Sequence, residues 1–194
     1  MKNRILSLFL AAAALLTGCD SELDKRTTLS FIGDSIIARW DLQDSFSSLI
    51  TYNFGQSGAG ISYIESYAGR LGGRNIVVMI GTNDNTLMAA PDSRRAYADR
   101  YVAALEATGA AHIYLYEVLP RGFHNDRPGT NDDIRAFNAE VRRLVDGRSD
   151  IDYIDVYSLF LGDDAKIYSE YYNDGLHLSP QGYEVLTSRL FRFL

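Results

Sequence analysis

Four short blocks of this chain carry residue types that could do chemistry together. The first, Gly33-Asp34-Ser35, sets a hydroxyl behind a glycine that permits a tight turn. The ordinary work of a Ser in that place is to cap a helix, and taken alone the block reads that way. The second, Gly55-Gln56-Ser57-Gly58-Ala59-Gly60, is a turn whose free backbone N–H groups could face an anion. It misses the G-x-S-x-G nucleophile elbow because position 59 is Ala, and it is not the dinucleotide fingerprint G-x-G-x-x-G either. By itself it is a plain loop. The third, Gly81-Thr82-Asn83-Asp84, offers an amide donor in a setting where Asn and Asp are routine turn residues. The fourth, Asp174-Gly175-Leu176-His177, places a carboxylate three residues ahead of an imidazole. That spacing lets the carboxylate meet Nδ1, fix the tautomer and leave Nε2 as a base. An isolated Asp-x-x-His is often only a turn.

The elements that must position these blocks are legible in the hydrophobic pattern. Strands are predicted at Thr27 to Ile32, Leu49 to Phe54, Asn75 to Ile80, His112 to Leu119 and Ile151 to Val156. Helical stripes run from Asp92 to Thr108, with Asp92 as N-cap and Gly109 as stop, and from Asp133 to Val145. A last amphipathic helix, Gln181 to Phe193, follows Ser179-Pro180. Apolar strands alternating with helices imply a parallel sheet covered on both faces, hence one three-layer α/β/α domain with about five strands in a flavodoxin-like sheet. In such sheets sites form at the C-terminal ends of the strands, which is where the first three blocks fall. The longest polar connection, Pro120 to Asp132, is a candidate substrate lid.

Taken together, in this order and on these strands, FIGDSI, Gly58, GTND and DGLHLSPQGY resemble the SGNH (GDSL) hydrolases over essentially the whole domain. The resemblance implies a carboxylic-ester hydrolase with Ser35 as nucleophile, His177 as its base and Asp174 orienting His177. It implies an oxyanion hole made by the Ser35 and Gly58 backbone N–H groups and the Asn83 side chain. Elementary chemistry agrees. A serine hydroxyl is a poor nucleophile without an adjacent base, and each oxyanion donor is worth about 3–4 kcal/mol. No metal and no other cofactor is expected, and no metal-ligand spacing is visible.

Other residues compete for these roles. His112 opens an apolar strand and reads as structural; His124 lies in the candidate lid without a partner motif. Ser57 is a rival nucleophile but reads as a residue that shapes the Gly58 turn. Asp34 and Asp84 are expected to bond the loops, not the substrate.

The N-terminus adds a location. Lys2 and Arg4 precede an apolar run, Ile5 to Leu16, too short to span a bilayer and patterned like a signal peptide. It ends in Leu16-Thr17-Gly18-Cys19, which resembles the bacterial lipoprotein box. The expected organisation is a signal peptide over 1–18, a lipidated Cys19 with a tether over 19–26, and a hydrolase domain over 27–194. Acylation at Cys19 would anchor the domain to the cell envelope, facing the periplasm, with Asp20 favouring the inner membrane.

Composition bounds the rest. The 194 residues are 46% apolar and 23% charged, an ordinary globular balance for one domain. The net charge of −6, with no basic stripe, excludes nucleic acid as a partner. The expected partners are a small-molecule, glycan or lipid ester and, through Cys19, a membrane; the chain is expected to be a monomer. Two alternatives use the same residues: acyl transfer to a sugar, and a silent glycan-binding lipoprotein whose Tyr168, Tyr171 and Tyr172 stack on sugar rings.

Overall fold

Alternation of apolar side chains fixes which way each strand faces. In the computed structural model, which describes residues 28–164 and 166–194, five strands form one sheet. They are β1 (Thr28–Gly33), β2 (Ile50–Gly55), β3 (Asn75–Met79), β4 (His112–Tyr116) and β5 (Ile151–Ile154). Every pairing is parallel and the order is β2-β1-β3-β4-β5, so the expected α/β fold with a flavodoxin-like parallel sheet is borne out. On β3, Ile76 and Val78 face one core, while Val77 and Met79 face the other. On β1, Leu29 and Phe31 point away from Ile32 in the same way.

Helices cover these two faces. Helices α1 (Ser35–Ala38), α2 (Leu42–Ser45) and α6 (Pro180–Leu190) lie over the face of Phe31 and Met79. Helices α3 (Ile61–Glu65), α4 (Pro91–Ala107) and α5 (Thr130–Val145) lie over the face of Ile32 and Val78. Trp40 closes the first core with Phe31, Phe46 and Tyr183, ring centroids 5.5–5.6 Å from its own. Such aromatic pairs contribute about 0.5–1.5 kcal/mol each beyond their area burial.

Several boundaries differ from the sequence reading, for local polar reasons. β4 stops at Tyr116, not Leu119, because the backbone of Val118 pairs with the Asn138 amide (3.0 and 2.8 Å). β5 stops at Ile154 because the N–H groups of Val156 and Tyr157 donate to the Glu117 carboxylate at 2.8 and 2.7 Å. Helix α4 is capped at Ala90 with Pro91 in its first turn, so Asp92 is not the N-cap. Its far end is as expected, with Gly109 at φ +71° just beyond the C-cap. Helix α5 starts at Thr130, three residues before the expected Asp133. Helix α6 ends at Leu190, short of Phe193, with Ser179 accepting from the Gly182 N–H.

β2 is an edge strand and is not covered on both faces: Ile50 and Tyr52 are 43% and 48% exposed. Among the described residues no helix is long and apolar enough to cross a membrane. The expected signal peptide, the lipidation site Cys19 and the tether through residue 26 lie outside the described residues.

Candidate active site

The strand order reverses between β2 and β3 across β1, and that switch point is where loops from neighbouring strands can converge on a ligand. Ser35 follows β1 as the first residue of α1. Asp34, not Ser35, is the N-cap: its Oδ1 accepts from the Ile36 N–H at 2.9 Å. This division of labour frees the Ser35 hydroxyl, whose Oγ lies 3.0 Å from His177 Nε2. The helix itself is held from outside, because the Tyr183 hydroxyl of α6 donates to the Ile36 carbonyl at 2.8 Å.

His177 sits in a tight loop that Asp174 builds around itself. Tyr172 and Leu178 form an antiparallel bridge, and the Asn173 N–H donates to the His177 carbonyl at 2.8 Å. Within this loop Asp174 Oδ1 accepts from the N–H groups of Leu176 (3.0 Å) and His177 (2.7 Å). Its Oδ2 lies 2.7 Å from His177 Nδ1. Partial burial raises the Asp174 pKa, but the hydrogen bonds from the His177 ring, His177 N–H and Leu176 N–H outweigh it and hold the group at about 2. An ionised carboxylate can only accept, so Nδ1 carries the proton and Nε2 is left to accept from the Ser35 hydroxyl. The three residues singled out from the sequence therefore form a continuous Ser–His–Asp chain.

The two loops expected to carry the oxyanion donors are stitched to each other. As the first residue of α1, Ser35 has an N–H with no acceptor inside the helix. Gly58 is exposed at φ +77°, and its N–H makes no hydrogen bond to a described residue. Asn83 opens onto the same region from the 3-10 helix Thr82–Met88, with Nδ2 donating to the Ala59 carbonyl at 2.8 Å. An amide nitrogen carries two hydrogens, so one fixes the side chain and the other is free for a ligand. Asp84 completes the stitching by accepting from the Ile61 N–H and the Tyr97 hydroxyl, both at 2.7 Å. Burial, then the Asp84 charge, keep the Tyr97 hydroxyl protonated as that donor. A methyl on Gly60 would lie 2.3 Å from Asp84 Oδ1, so only glycine lets the two loops come this close.

Asp34 is the unusual group of the site. It is 1% exposed, and its Oδ2 has no hydrogen-bond partner. Burial raises its pKa, the Ile36 N–H lowers it, Asp84 raises it and Arg121 lowers it, leaving it at about 7. Asp34 and Asp84 were expected to bond the loops; each instead accepts from a backbone N–H in the first turn of a helix, Ile36 of α1 and Ile61 of α3.

The competing residues are elsewhere. His112 lies at the N-terminal end of β4, with Nε2 2.9 Å from Asp152. The His124 ring lies against Phe123, 4.4 Å between centroids and tilted by 53°. Ser57 is exposed in the Gly58 turn, and its hydroxyl makes no contact with His177. Tyr172 is buried beside Phe160 and donates to the Pro120 carbonyl, a core role instead of sugar stacking. Tyr168, in contrast, is 37% exposed and lies 5.4 Å from Tyr171.

The Pro120 to Asp132 segment, the expected lid, is tied down near both of its ends. Arg121 bonds Thr82 and Asp126, the Gly122 N–H donates to the Gly175 carbonyl, and Asn131 pairs with the Arg121 backbone. Neither Arg121 nor Tyr97 stood out in the sequence. A charged residue after a strand is unremarkable until its partners are known.

A model of the GDSL-like lipase/acylhydrolase family matches residues 31–185, which takes in every block described above. The chain belongs to that family. Its fold is shared with a GDSL-like lipase from Bacteroides thetaiotaomicron (19% identity, TM-score 0.69, 87% of this chain and 88% of that one). It is also shared with a lipase/acylhydrolase from Enterococcus faecalis (17% identity, TM-score 0.67, 86% and 94%). An acetyl xylan esterase from Geobacillus stearothermophilus is a third structure that shares the fold (17% identity, TM-score 0.60, 86% and 93%). At these identities the likeness speaks for the fold alone. No curated protein matches the sequence. Among the described residues no cluster of His, Cys, Asp and Glu could hold a metal ion.

Proposed function

We propose that this GDSL-family hydrolase is a serine esterase that cleaves carboxylic esters through an acyl-enzyme. The observation that carries the reading is the chain from Ser35 Oγ to His177 Nε2 at 3.0 Å and from His177 Nδ1 to Asp174 at 2.7 Å. Ser35 Oγ attacks the ester carbonyl carbon while His177 Nε2 takes the hydroxyl proton. The carbonyl oxygen, now an oxyanion, accepts from the N–H groups of Ser35 and Gly58 and from Asn83 Nδ2. Collapse of this intermediate expels the alcohol, which receives the proton from His177, and leaves the acyl group on Ser35. Water then repeats the sequence, with His177 accepting its proton and returning it to Ser35 as the acid departs.

The substrates we propose are short-acyl or carbohydrate and lipid esters of the cell envelope. Two features support this: the fold shared with an acetyl xylan esterase, and the signal-peptide and lipobox pattern ending at Cys19. Lipidation there would hold the domain on the periplasmic face of a membrane, close to envelope glycans and lipids.

The test is hydrolysis of p-nitrophenyl esters from acetate to laurate by residues 20–194 and by Ser35→Ala. Turnover biased to short chains and reduced at least about 10⁴-fold in the variant is expected. A folded protein with no turnover at any chain length would instead favour sugar acylation or glycan binding.

A further inference from the structure

The loop carrying the oxyanion donor and the loop carrying the base come from distant parts of the chain, yet a two-residue bridge joins them. Arg121, just after Pro120, sends its guanidinium two ways. Nη1 donates to the Thr82 carbonyl at 2.8 Å and to Thr82 Oγ1 at 3.2 Å, next to Asn83. Nε and Nη2 form a fork on Asp126, at 2.9 and 2.7 Å. The side chain is only 9% exposed. Its own backbone is fixed too, because Arg121 N–H donates to Asn131 Oδ1 (2.9 Å) and Asn131 Nδ2 donates back to the Arg121 carbonyl (2.7 Å).

The neighbouring residue faces the other way. The Gly122 N–H donates at 2.8 Å to the carbonyl of Gly175, which lies between Asp174 and His177. Gly175 is at φ +79°, and a methyl there would sit 2.4 Å from the Gly122 carbonyl oxygen. The two loops are thus held at one separation through residues 121 and 122, and that separation sets where a tetrahedral intermediate must fit.

We propose that Arg121 is a positioning residue that holds the oxyanion donor Asn83 in register with the base His177. The proposal rests on the esterase reading of the same site. Arg121 itself touches no reacting atom; it acts through the Thr82 backbone. A guanidinium is suited to this because its planar fork serves Asp126 and Thr82 at once, whereas an ammonium is a single point charge. Misplacing a reacting group by an ångström is enough to slow a step about 100-fold.

The experiment compares wild type, Arg121→Met and Arg121→Lys, each well below its melting temperature, on the best p-nitrophenyl ester. Arg121→Met is expected to lower kcat about 100-fold, as loss of an oxyanion donor does, with KM within about threefold. Arg121→Lys falls between the two. In an Asn83→Ala background Arg121→Met costs less than about fivefold, because the donor it positions is gone. A merely structural Arg121 gives the opposite pattern: a lower melting temperature with kcat within about twofold, or the same loss of kcat in both backgrounds. Either of these overturns the proposal. If Arg121→Met does not fold, a folded Arg121→Lys with wild-type kcat overturns it equally. Should wild type cleave no ester, the esterase reading fails. The rate at which a fluorophosphonate labels Ser35 then makes the same comparison, since labelling needs only nucleophile, base and oxyanion hole.

Discussion

Replacing Asp34 by Asn removes a buried charge beside the candidate nucleophile without removing the helix cap, and its effect follows from linkage. Asp34 titrates at about 7 in the fold against an ordinary 3.8, chiefly because burial disfavours its charged form. Between pH 4 and 7 the folded chain therefore keeps a proton that the unfolded chain has released. Wherever the folded state binds more protons, stability falls as pH rises, so Asp34 costs the fold progressively through that window and fully above it. The whole displacement corresponds to about 4 kcal/mol, of which about 2–3 kcal/mol falls between pH 5 and 8. Asn keeps an Oδ1 for the Ile36 N–H, and Asn and Asp are about equal as N-caps. Its Nδ2 takes the place of the unpartnered Oδ2, an offset that is the same at every pH. Urea unfolding of both chains at pH 5, 6, 7 and 8, followed by circular dichroism, measures the difference directly. Titrations of groups that do not interact with Asp34 are common to the two chains and cancel. The expected result is that Asp34→Asn gains about 2–3 kcal/mol on wild type between pH 5 and 8. Curves that stay parallel within about 0.5 kcal/mol would refute the argument, since Asp34 would then carry its charge in the fold at no cost.

Two further outcomes follow from the same geometry. Asp174→Asn replaces the carboxylate that holds a proton on His177 Nδ1, so kcat should fall about 10⁴-fold while the protein folds normally. An active Asp174→Asn, within about tenfold of wild type in ester hydrolysis, would mean that His177 needs no orienting partner. Gly60→Ala forces a methyl to 2.3 Å from Asp84 Oδ1 and must push Asp84 off Ile61 N–H or Tyr97 Oη. Losing one such bond to a charged acceptor costs about 1.5–3 kcal/mol, read as a lowered urea midpoint, and kcat drops because Asn83 adjoins the displaced turn. An unchanged midpoint together with an unchanged kcat would contradict the stitched-loop picture.

Local pattern alone settled the layers and, to within a residue, where β1, β2 and β3 end. Ile76 to Met79 reads as a buried parallel strand because every side chain is apolar, and such a run is stable only with helices on both sides. It also placed Ser35, Gly58 and Asn83 just past three strands, and Asp174 three residues before His177, because the spacing of short motifs is a local property. What the sequence did not contain is how far apart those blocks end up. Ser35 and His177 are 142 residues apart in the chain, and tertiary contacts bring them to 3.0 Å, among them Tyr183 of α6 on Ile36, the Tyr172–Leu178 bridge and the Gly122–Gly175 bond. The division of work between Asp34 as cap and Ser35 as free hydroxyl was decided by backbone angles, which neither residue type dictates. The shortened β4 and β5 have the same origin: Asn138 and Glu117 take the backbone groups that a longer ladder would have used. Arg121 shows the limit most clearly. Its role depends on Thr82, Asp126 and, through Gly122, on Gly175, and such a set of partners exists only once the chain has folded.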